Sequence, residues 1–314
     1  MNDLDINFPL DKFEKLIIDI GWKSLDDWFN FWNNQKNILS IHKYWNNKVN
    51  DDWIWGLALP LLSQAYKFQN NFSDRKIIGI SALPGTGKTT LGKWLEAISL
   101  KLNFNIAVIS IDDFYLPSNE MKLAIKNNPW NVSRGFPGSH SVKLMHEKLL
   151  NWKMNGELNV PVFDKSLRNG LGDRSHWRLE TPDLLILEGW FLGVTPFPND
   201  ISNQPINTLN LSLHESSYIS KIQNNLNEYL DIWTLIDNLW HLKPLKMEYM
   251  IIWKTNQEKE MFLQKGNALK DDKLSNFLRM LNVSIPYKSF DVIKSYARLL
   301  IDQKRNLVES GLNL

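Results

Sequence analysis

Ile77-Ile-Gly-Ile-Ser-Ala-Leu-Pro-Gly-Thr-Gly-Lys-Thr-Thr90 carries three local signals in one register. A β-branched run ends at Ser81, two glycines follow in a short loop, and Lys88-Thr89-Thr90 opens a helical pattern that continues as Leu91-Gly-Lys-Trp-Leu-Glu96. Strand, glycine loop and helix in that order make a phosphate-binding loop, or P-loop. Gly85 and Gly87 let the segment Leu83-Pro84-Gly85-Thr86-Gly87 fold tightly, so that backbone N–H groups turn inward at an anion. The helix N-terminus near Lys88 adds partial positive charge. Lys88 is spaced to reach the β/γ-phosphates, Thr89 to place its hydroxyl on Mg²⁺, and Thr90 to close the set. Ala82 stands where the pattern G-x-x-x-x-G-K-[ST] begins with glycine, and its small side chain meets the same spatial need. A glycine turn that merely joins strand to helix would not require Lys-Thr in this register, so the stretch predicts a nucleoside triphosphate site.

Working outward, Asn105-Ile-Ala-Val-Ile-Ser-Ile111 and Leu184-Leu-Ile-Leu187 are nearly continuous apolar runs, the mark of strands buried on both faces. Strand–helix–strand with such runs predicts an α/β fold of P-loop NTPase type, a parallel sheet with helices on both faces. Each run ends in acid: Asp112-Asp113-Phe114-Tyr115 after the first, Glu188-Gly189-Trp190 after the second. In open α/β sheets ligands bind outside the carboxyl ends of the strands, so these carboxylates are placed for chemistry. An Asp here could instead cap the following turn. Glu188 at a strand end beside a P-loop is positioned for Mg²⁺.

From Pro117 to Arg178 the chain is polar and rich in turns, apart from an amphipathic helix at Ser141–Met154. Arg134, His140, Lys165 and Arg174 lie in its loops, next to glycines, and are candidates for gripping an anionic substrate or the transferring phosphoryl group. Singly, each could be a solvated surface cation.

Residues 1–74 read as a helical N-terminal extension, with Leu10, Phe13, Leu16, Ile17 and then Trp28, Phe29, Trp32 at helical spacing, and a run from Trp53 to Leu62 interrupted at Pro60. Asn70–Asp74 reads as the turn that closes it. Residues 75–314 are expected to form the nucleotide domain, with a substrate-binding insert at about 117–180. A helical pattern covers Ser212–Asp237, Asn238-Leu-Trp-His-Leu242 reads as a last strand, and Lys246–Lys265 as a helix. The remainder, from Lys270, reads as two helices around Pro286-Tyr287.

The 314 residues carry a net charge of only +2, which gives no bulk signal for a nucleic-acid or membrane partner. No stretch offers the ~18 uninterrupted apolar residues of a membrane span, and nothing resembles a signal peptide. There is no cysteine, which excludes disulfides, thiolate metal sites and a cysteine nucleophile. The expectation is a cytoplasmic protein acting on a small molecule; no protein partner is indicated. Fourteen tryptophans fit a core filled with large apolar bodies that each carry one N–H.

The ordered set Ser-Ala-x-x-Gly-x-Gly-Lys-Thr-Thr, Ser-Ile-Asp-Asp-Phe-Tyr-Leu, Arg-Gly-x-x-Gly-Ser-His, Val-Pro-x-x-Asp-Lys-Ser, Gly-Asp-Arg and Leu-Glu-Gly-Trp-Phe-Leu-Gly resembles the P-loop D-glycerate 3-kinases, relatives of phosphoribulokinase, uridine kinase and pantothenate kinase. The resemblance runs from about Ile77 to Tyr287. It implies an ATP- and Mg²⁺-dependent kinase whose acceptor is a small acid. It makes Asp112 the general base, Glu188 the Mg²⁺ partner with Thr89, and Lys88 and Arg174 the neutralising cations. Asp113, Tyr115, Arg134, His140, Lys165 and Arg174 are then the substrate-pocket candidates. Two departures stand out: Trp253-Lys254 replaces the family's Trp-Arg, and a lysine lacks the two-pronged contact of arginine; Leu281-Asn-Val-Ser-Ile-Pro-Tyr287 blurs the family's Tyr-Leu-Pro-x-Tyr. The alternatives are a kinase for a neutral acceptor such as uridine or pantothenate, and an ATP-binding regulator without turnover.

Overall fold

The computed structural model describes residues 6–35, 51–69, 74–197, 210–265, 268–269 and 271–313. Six strands form the central sheet: β1 (Ile77–Ala82), β2 (Ile106–Ser110), β5 (Leu184–Gly189), β6 (Asn238–Pro244), β7 (Ala297–Ile301) and β8 (Leu307–Leu312), in the order β2-β5-β1-β6-β7-β8. The first five pair in parallel, and β8 returns antiparallel at the edge. The P-loop strand β1 is buried at all six positions, which is why its sequence is an apolar run without alternation.

Successive β1 residues feed two cores. Ile78, Ile80 and Ala82 join one, Ile77 the other. The first core contains α1 (Asp11–Asp19), α2 (Leu25–Asn34) and α3 (Leu59–Gln69) together with α4 (Lys88–Lys101), the helix that follows the P-loop. The N-terminal helices therefore cover a face of the sheet. Their tryptophans are core bodies whose N–H groups find partners across the fold. Trp28 and Trp32 both donate to Ser63 Oγ, at 2.8 and 2.9 Å, and Trp240 on β6 donates to Gln64 at 2.8 Å. The turn expected at Asn70–Asp74 lies outside the described residues except for Asp74.

Pro60 does not interrupt the helix as the sequence suggested. A π-helical turn at Ile54–Ala58 precedes α3, and the Gly56 carbonyl, which residue 60 would normally bond, accepts from Ser310 Oγ at 2.6 Å instead. The missing donor is thus replaced from β8, 254 residues away.

The second core gathers α6 (Val142–Asn155), α7 (Leu213–Leu226), α8 (Leu230–Leu235) and α10 (Asp271–Ser284). Two further helices are α5 (Ser118–Ala124), whose Met121 packs with Tyr115 and Phe163, and α9 (Tyr249–Lys265), which borders the cavity at the carboxyl end of the sheet. The segment after Lys270 corrects the all-helical expectation. After α10 and the short α11 (Tyr287–Asp291) come β7 and β8. Ala297-Arg-Leu-Leu-Ile301 is a five-residue, mostly apolar stretch, too short for periodicity to separate strand from helix, and pairing with β6 decides it. Asn238–Pro244 is a strand, but not the last. The polar region after Pro117 also holds an unforeseen hairpin, β3 (Leu158–Asp164) against β4 (Asp173–Glu180).

Helix α7 starts with a capping box, Ser212 with Glu215. The Glu215 carboxylate also accepts from Arg279 Nε at 2.8 Å and Trp130 Nε1 at 3.0 Å, joining α10 and the 130s loop. The Arg279 contact, helped by the Ser212 amide and Trp130 against the opposing effect of burial, pulls the carboxyl from 4.5 down to about 2. A depressed folded-state value means that the network stabilises fully above about pH 5 and weakens as pH falls through 4.5 toward 2. Denaturant titrations of wild type and Glu215→Gln should therefore differ most at neutral pH, by up to about 3 kcal/mol, and converge toward pH 2–3. A gap that widens on acidification would refute this assignment.

Candidate active site

Gly85 (φ +82°) and Gly87 (φ +105°) give the P-loop its left-handed turns, and the Gly87 carbonyl accepts from the amides of Thr90 and Leu91 as α4 begins. Thr86 is buried and its hydroxyl donates to the Leu83 carbonyl, so Leu83 and Thr86 stiffen the loop, whereas Pro84, Gly85, Gly87, Lys88, Thr89 and Thr90 line a cavity of about 480 Å³. A Cβ at Gly85 would lie 2.8 Å from the Trp253 carbonyl carbon and 2.9 Å from the Lys254 nitrogen. Helix α9 is thus seated directly on the loop. Gly85→Ala would meet this backbone clash plus about 1–2 kcal/mol for left-handed geometry. We expect a lowered Tm and nucleotide affinity weakened at least about tenfold; an unchanged nucleotide titration would contradict it.

The cavity is walled by the strand ends the sequence picked out. Ser110 of β2 and Glu188 of β5 are in register, and Asp112 follows two residues later in a 3₁₀ turn. Asp113 takes the capping role weighed for this position: its carboxylate accepts the Ser110 amide at 3.0 Å, leaving Asp112 as the carboxylate free of backbone duty. Lys88 Nζ lies 2.6 Å from the Ala82 carbonyl oxygen and 3.9 Å from Glu188 Oε2. Burial pushes the Lys88 ammonium down while Glu188 and Asp112 pull it back, and burial pushes the Glu188 carboxyl up while Lys88 offsets part of that. Each leans on the other for its charge.

Of the four loop cations, one faces the cavity. Lys165, at the turn after β3, donates to Asp112 Oδ2 at 2.7 Å. Burial alone would raise the Asp112 carboxyl, but Lys165 and then His140 outweigh it and hold the group well below the usual carboxylate range. Arg134 and Arg174 do not line the cavity. Arg134 donates to the Leu171 and Gly170 carbonyls, at 2.7 and 3.1 Å, and lies over the Phe163 ring. Arg174 donates to the Tyr115 carbonyl at 3.2 Å and Ser141 Oγ at 2.6 Å. Both guanidiniums brace the loops that carry Lys165 and Tyr115.

His140 sits behind Asp112 with its side chain fully buried, stacked on Tyr115 at 4.6 Å. Its Nδ1 lies 2.8 Å from Tyr229 Oη and its Nε2 3.9 Å from Asp112 Oδ1. Because Tyr229 Oη already accepts the Gly138 amide, its proton is free to go to His140 Nδ1, which leaves an Nε2–H facing the aspartate. Burial pushes the imidazole down, in keeping with a neutral ring. Tyr115 lines the cavity with Phe163 edge-on at 5.1 Å.

The lining extends beyond the residues named so far, and Lys254 is on the helix whose lysines the sequence offers as either a solvated face or a lid over the phosphates. Lys254 on α9 reaches the cavity, paired with buried Glu258 and lying over Phe277 of α10 at 5.5 Å. Trp253-Lys254 had marked the place, but the seat of α9 on Gly85 could not be foreseen. Trp190 pins the Arg-Gly-x-x-Gly-Ser-His loop by donating to the Gly135 carbonyl at 2.8 Å. Arg178 and Glu96 complete the exposed edge of β2, donating to the Val108 carbonyl (3.0 Å) and accepting its amide (2.9 Å). Only the pairing of β3 with β4 brings Arg178 there.

The donor set suits Mg²⁺. That ion keeps several waters and takes one or two carboxylates plus phosphate oxygens, and Thr89 and Glu188 supply one hydroxyl and one carboxylate in the same cavity. Among the described residues no cluster of three or more His, Cys, Asp or Glu forms a protein cage for a metal.

No family model matches the chain. It is 30% identical over 214 residues to an uncharacterized kinase of Schizosaccharomyces pombe, mug58, covering 64% of this chain and 76% of that protein. It is 31% identical over 215 residues to the chloroplastic D-glycerate 3-kinase of Arabidopsis thaliana, covering 64% of this chain but 45% of that longer protein. Among solved structures, the D-glycerate 3-kinase of Cryptococcus neoformans superposes with a TM-score of 0.68 at 24% identity, over 81% of this chain and 99% of that one, a likeness of fold.

Proposed function

Because this chain belongs to the P-loop kinases that include D-glycerate 3-kinase, we propose that it transfers the γ-phosphoryl group of ATP to a hydroxyl of a small carboxylic acid, D-glycerate, giving 3-phosphoglycerate. The observation that carries this is one cavity in which the P-loop, an aspartate free of backbone capping and a loop lysine paired with it meet.

In the proposed mechanism Asp112 accepts the hydroxyl proton as the oxygen attacks phosphorus. Phosphoryl transfer asks little else of the protein than positioning and neutralisation. Lys88 and the loop amides grip the β- and γ-phosphates. Thr89 and Glu188 would hold Mg²⁺, which would supply charge neutralisation for the transferring phosphoryl group. Lys165 takes the acceptor's carboxylate, and Tyr115 and Phe163 wall its carbon skeleton. Lys254 adds positive charge from the α9 side.

A coupled ADP-release assay with D-glycerate, uridine, pantothenate and ribulose 5-phosphate tests the reading. We expect turnover with D-glycerate. Preference for uridine or pantothenate would replace the acceptor, and nucleotide binding without ADP release would make the protein a binder.

A further inference from the structure

Asp112 and Lys165 form a closed pair at 2.7 Å, although a base needs an oxygen free for the incoming hydroxyl. The other groups acting on Asp112 are His140 near its far oxygen, Tyr115 and Asp113, Lys88 from the P-loop, Glu188 from β5 and Lys254 from α9. Of the lysines in this set, Lys88 is held by backbone carbonyls and Lys254 by Glu258, whereas the Lys165 side chain is 56% exposed. Its loop backbone is braced by Arg134 on the carbonyls of Gly170 and Leu171. The loop can therefore stay still while four rotatable side-chain bonds move the ammonium. A second anion arriving beside Asp112 would compete for that ammonium at little conformational cost.

Resting on the proposed function, we propose that Lys165 is a specificity gate: it masks Asp112 until the acceptor's own carboxylate draws the ammonium away, so the acid group of the substrate releases the base that acts on its hydroxyl. The step balances simply. The acceptor oxygen bonds to the γ-phosphorus, the bond from that phosphorus to the β–γ bridging oxygen breaks, ADP departs, and the hydroxyl proton passes to Asp112 and then to solvent. A neutral alcohol leaves the pair closed and meets a base held well below its usual strength. Discrimination against neutral acceptors thus falls on the rate of transfer as well as on binding.

The test divides the substrate. Ethylene glycol supplies the hydroxyl and formate the carboxylate, with ATP, Mg²⁺ and the intact enzyme. We expect formate to raise phosphorylation of ethylene glycol at least about tenfold, a part of what a freed general base contributes. In Lys165→Met the formate effect should vanish, the formate-free rate with ethylene glycol should exceed that of wild type, and D-glycerate should lose much of its advantage over it. If wild type turns over D-glycerate yet formate leaves ethylene glycol unaffected, the gate is wrong and the kinase reading stands. If Lys165→Met only raises KM for D-glycerate with kcat unchanged, Lys165 is a plain carboxylate anchor and the gate again fails. If the variant slows both acceptors equally and formate still activates, the lysine serves the phosphoryl group, which likewise overturns it. No turnover of D-glycerate by wild type would remove the proposed function and this inference together.

Discussion

Lys88→Ala is expected to abolish measurable phosphoryl transfer, with a fall in kcat of at least ~10²–10³, the scale seen when one preorganised charge-stabilising donor is removed from an active site. Charge spreads over the γ-phosphoryl oxygens in the transition state, and Lys88 is the P-loop's own ammonium, buried beside Glu188 and opposite Asp112. Its loss leaves Glu188 a buried carboxylate whose nearest cation is gone and whose pKa burial already raises. The fold should survive, because Lys88 holds only the Ala82 and Leu83 carbonyls and its ion pair with Glu188, all at the mouth of the nucleotide cavity, and is not one of the core residues. Circular dichroism should remain native while ADP release disappears. Retention of near-normal kcat would disprove the phosphate-gripping role.

Asp112→Asn separates binding from chemistry. The change is isosteric and keeps a side chain against Lys165 and His140, but it removes the proton acceptor. We expect kcat to fall ~10²–10⁴-fold, the usual contribution of a positioned general base, with ATP affinity within a few-fold of wild type because the P-loop is untouched. Wild-type Asp112 is held well below the usual carboxylate range, so it stays ionised through the near-neutral range, and no loss of activity between pH 7 and about 5 should trace to it. An Asp112→Asn enzyme that turns over D-glycerate at nearly the wild-type rate would refute the assignment.

The two predictions differ in how far their residues could be identified before the fold was known. Lys88 belongs to a contiguous motif whose strand, loop and helix are set by neighbours in sequence, so its position was readable directly. Asp112 is one of two adjacent carboxylates at a strand end; the family resemblance singles it out as the base, but no local pattern shows that Asp113 is the one that caps the turn. The 3₁₀ geometry after β2 turns Asp113 back onto the Ser110 amide and sends Asp112 toward Lys165. The four loop cations looked alike for the same reason. Arg134 and Arg174 are absorbed by carbonyls on other segments, 36 to 59 residues away, whose positions no local pattern encodes.

What the amino-acid order by itself determined is the P-loop, the buried parallel strands with acids at their ends, and the helical character of Asp11–Asp19, Leu25–Asn34 and Leu59–Gln69. Each rests on short-range periodicity, glycine geometry or side-chain bulk, all of which act between near neighbours. Tertiary structure decided that the N-terminal helices share a core with β1, that Ser310 makes good the bond Pro60 cannot form, that the chain ends in β7 and β8, and that Lys165 and Lys254 face the cavity. Those outcomes depend on burial and on contacts between residues 50 to 250 positions apart. There, a side chain's direction is set by what the rest of the fold brings to meet it.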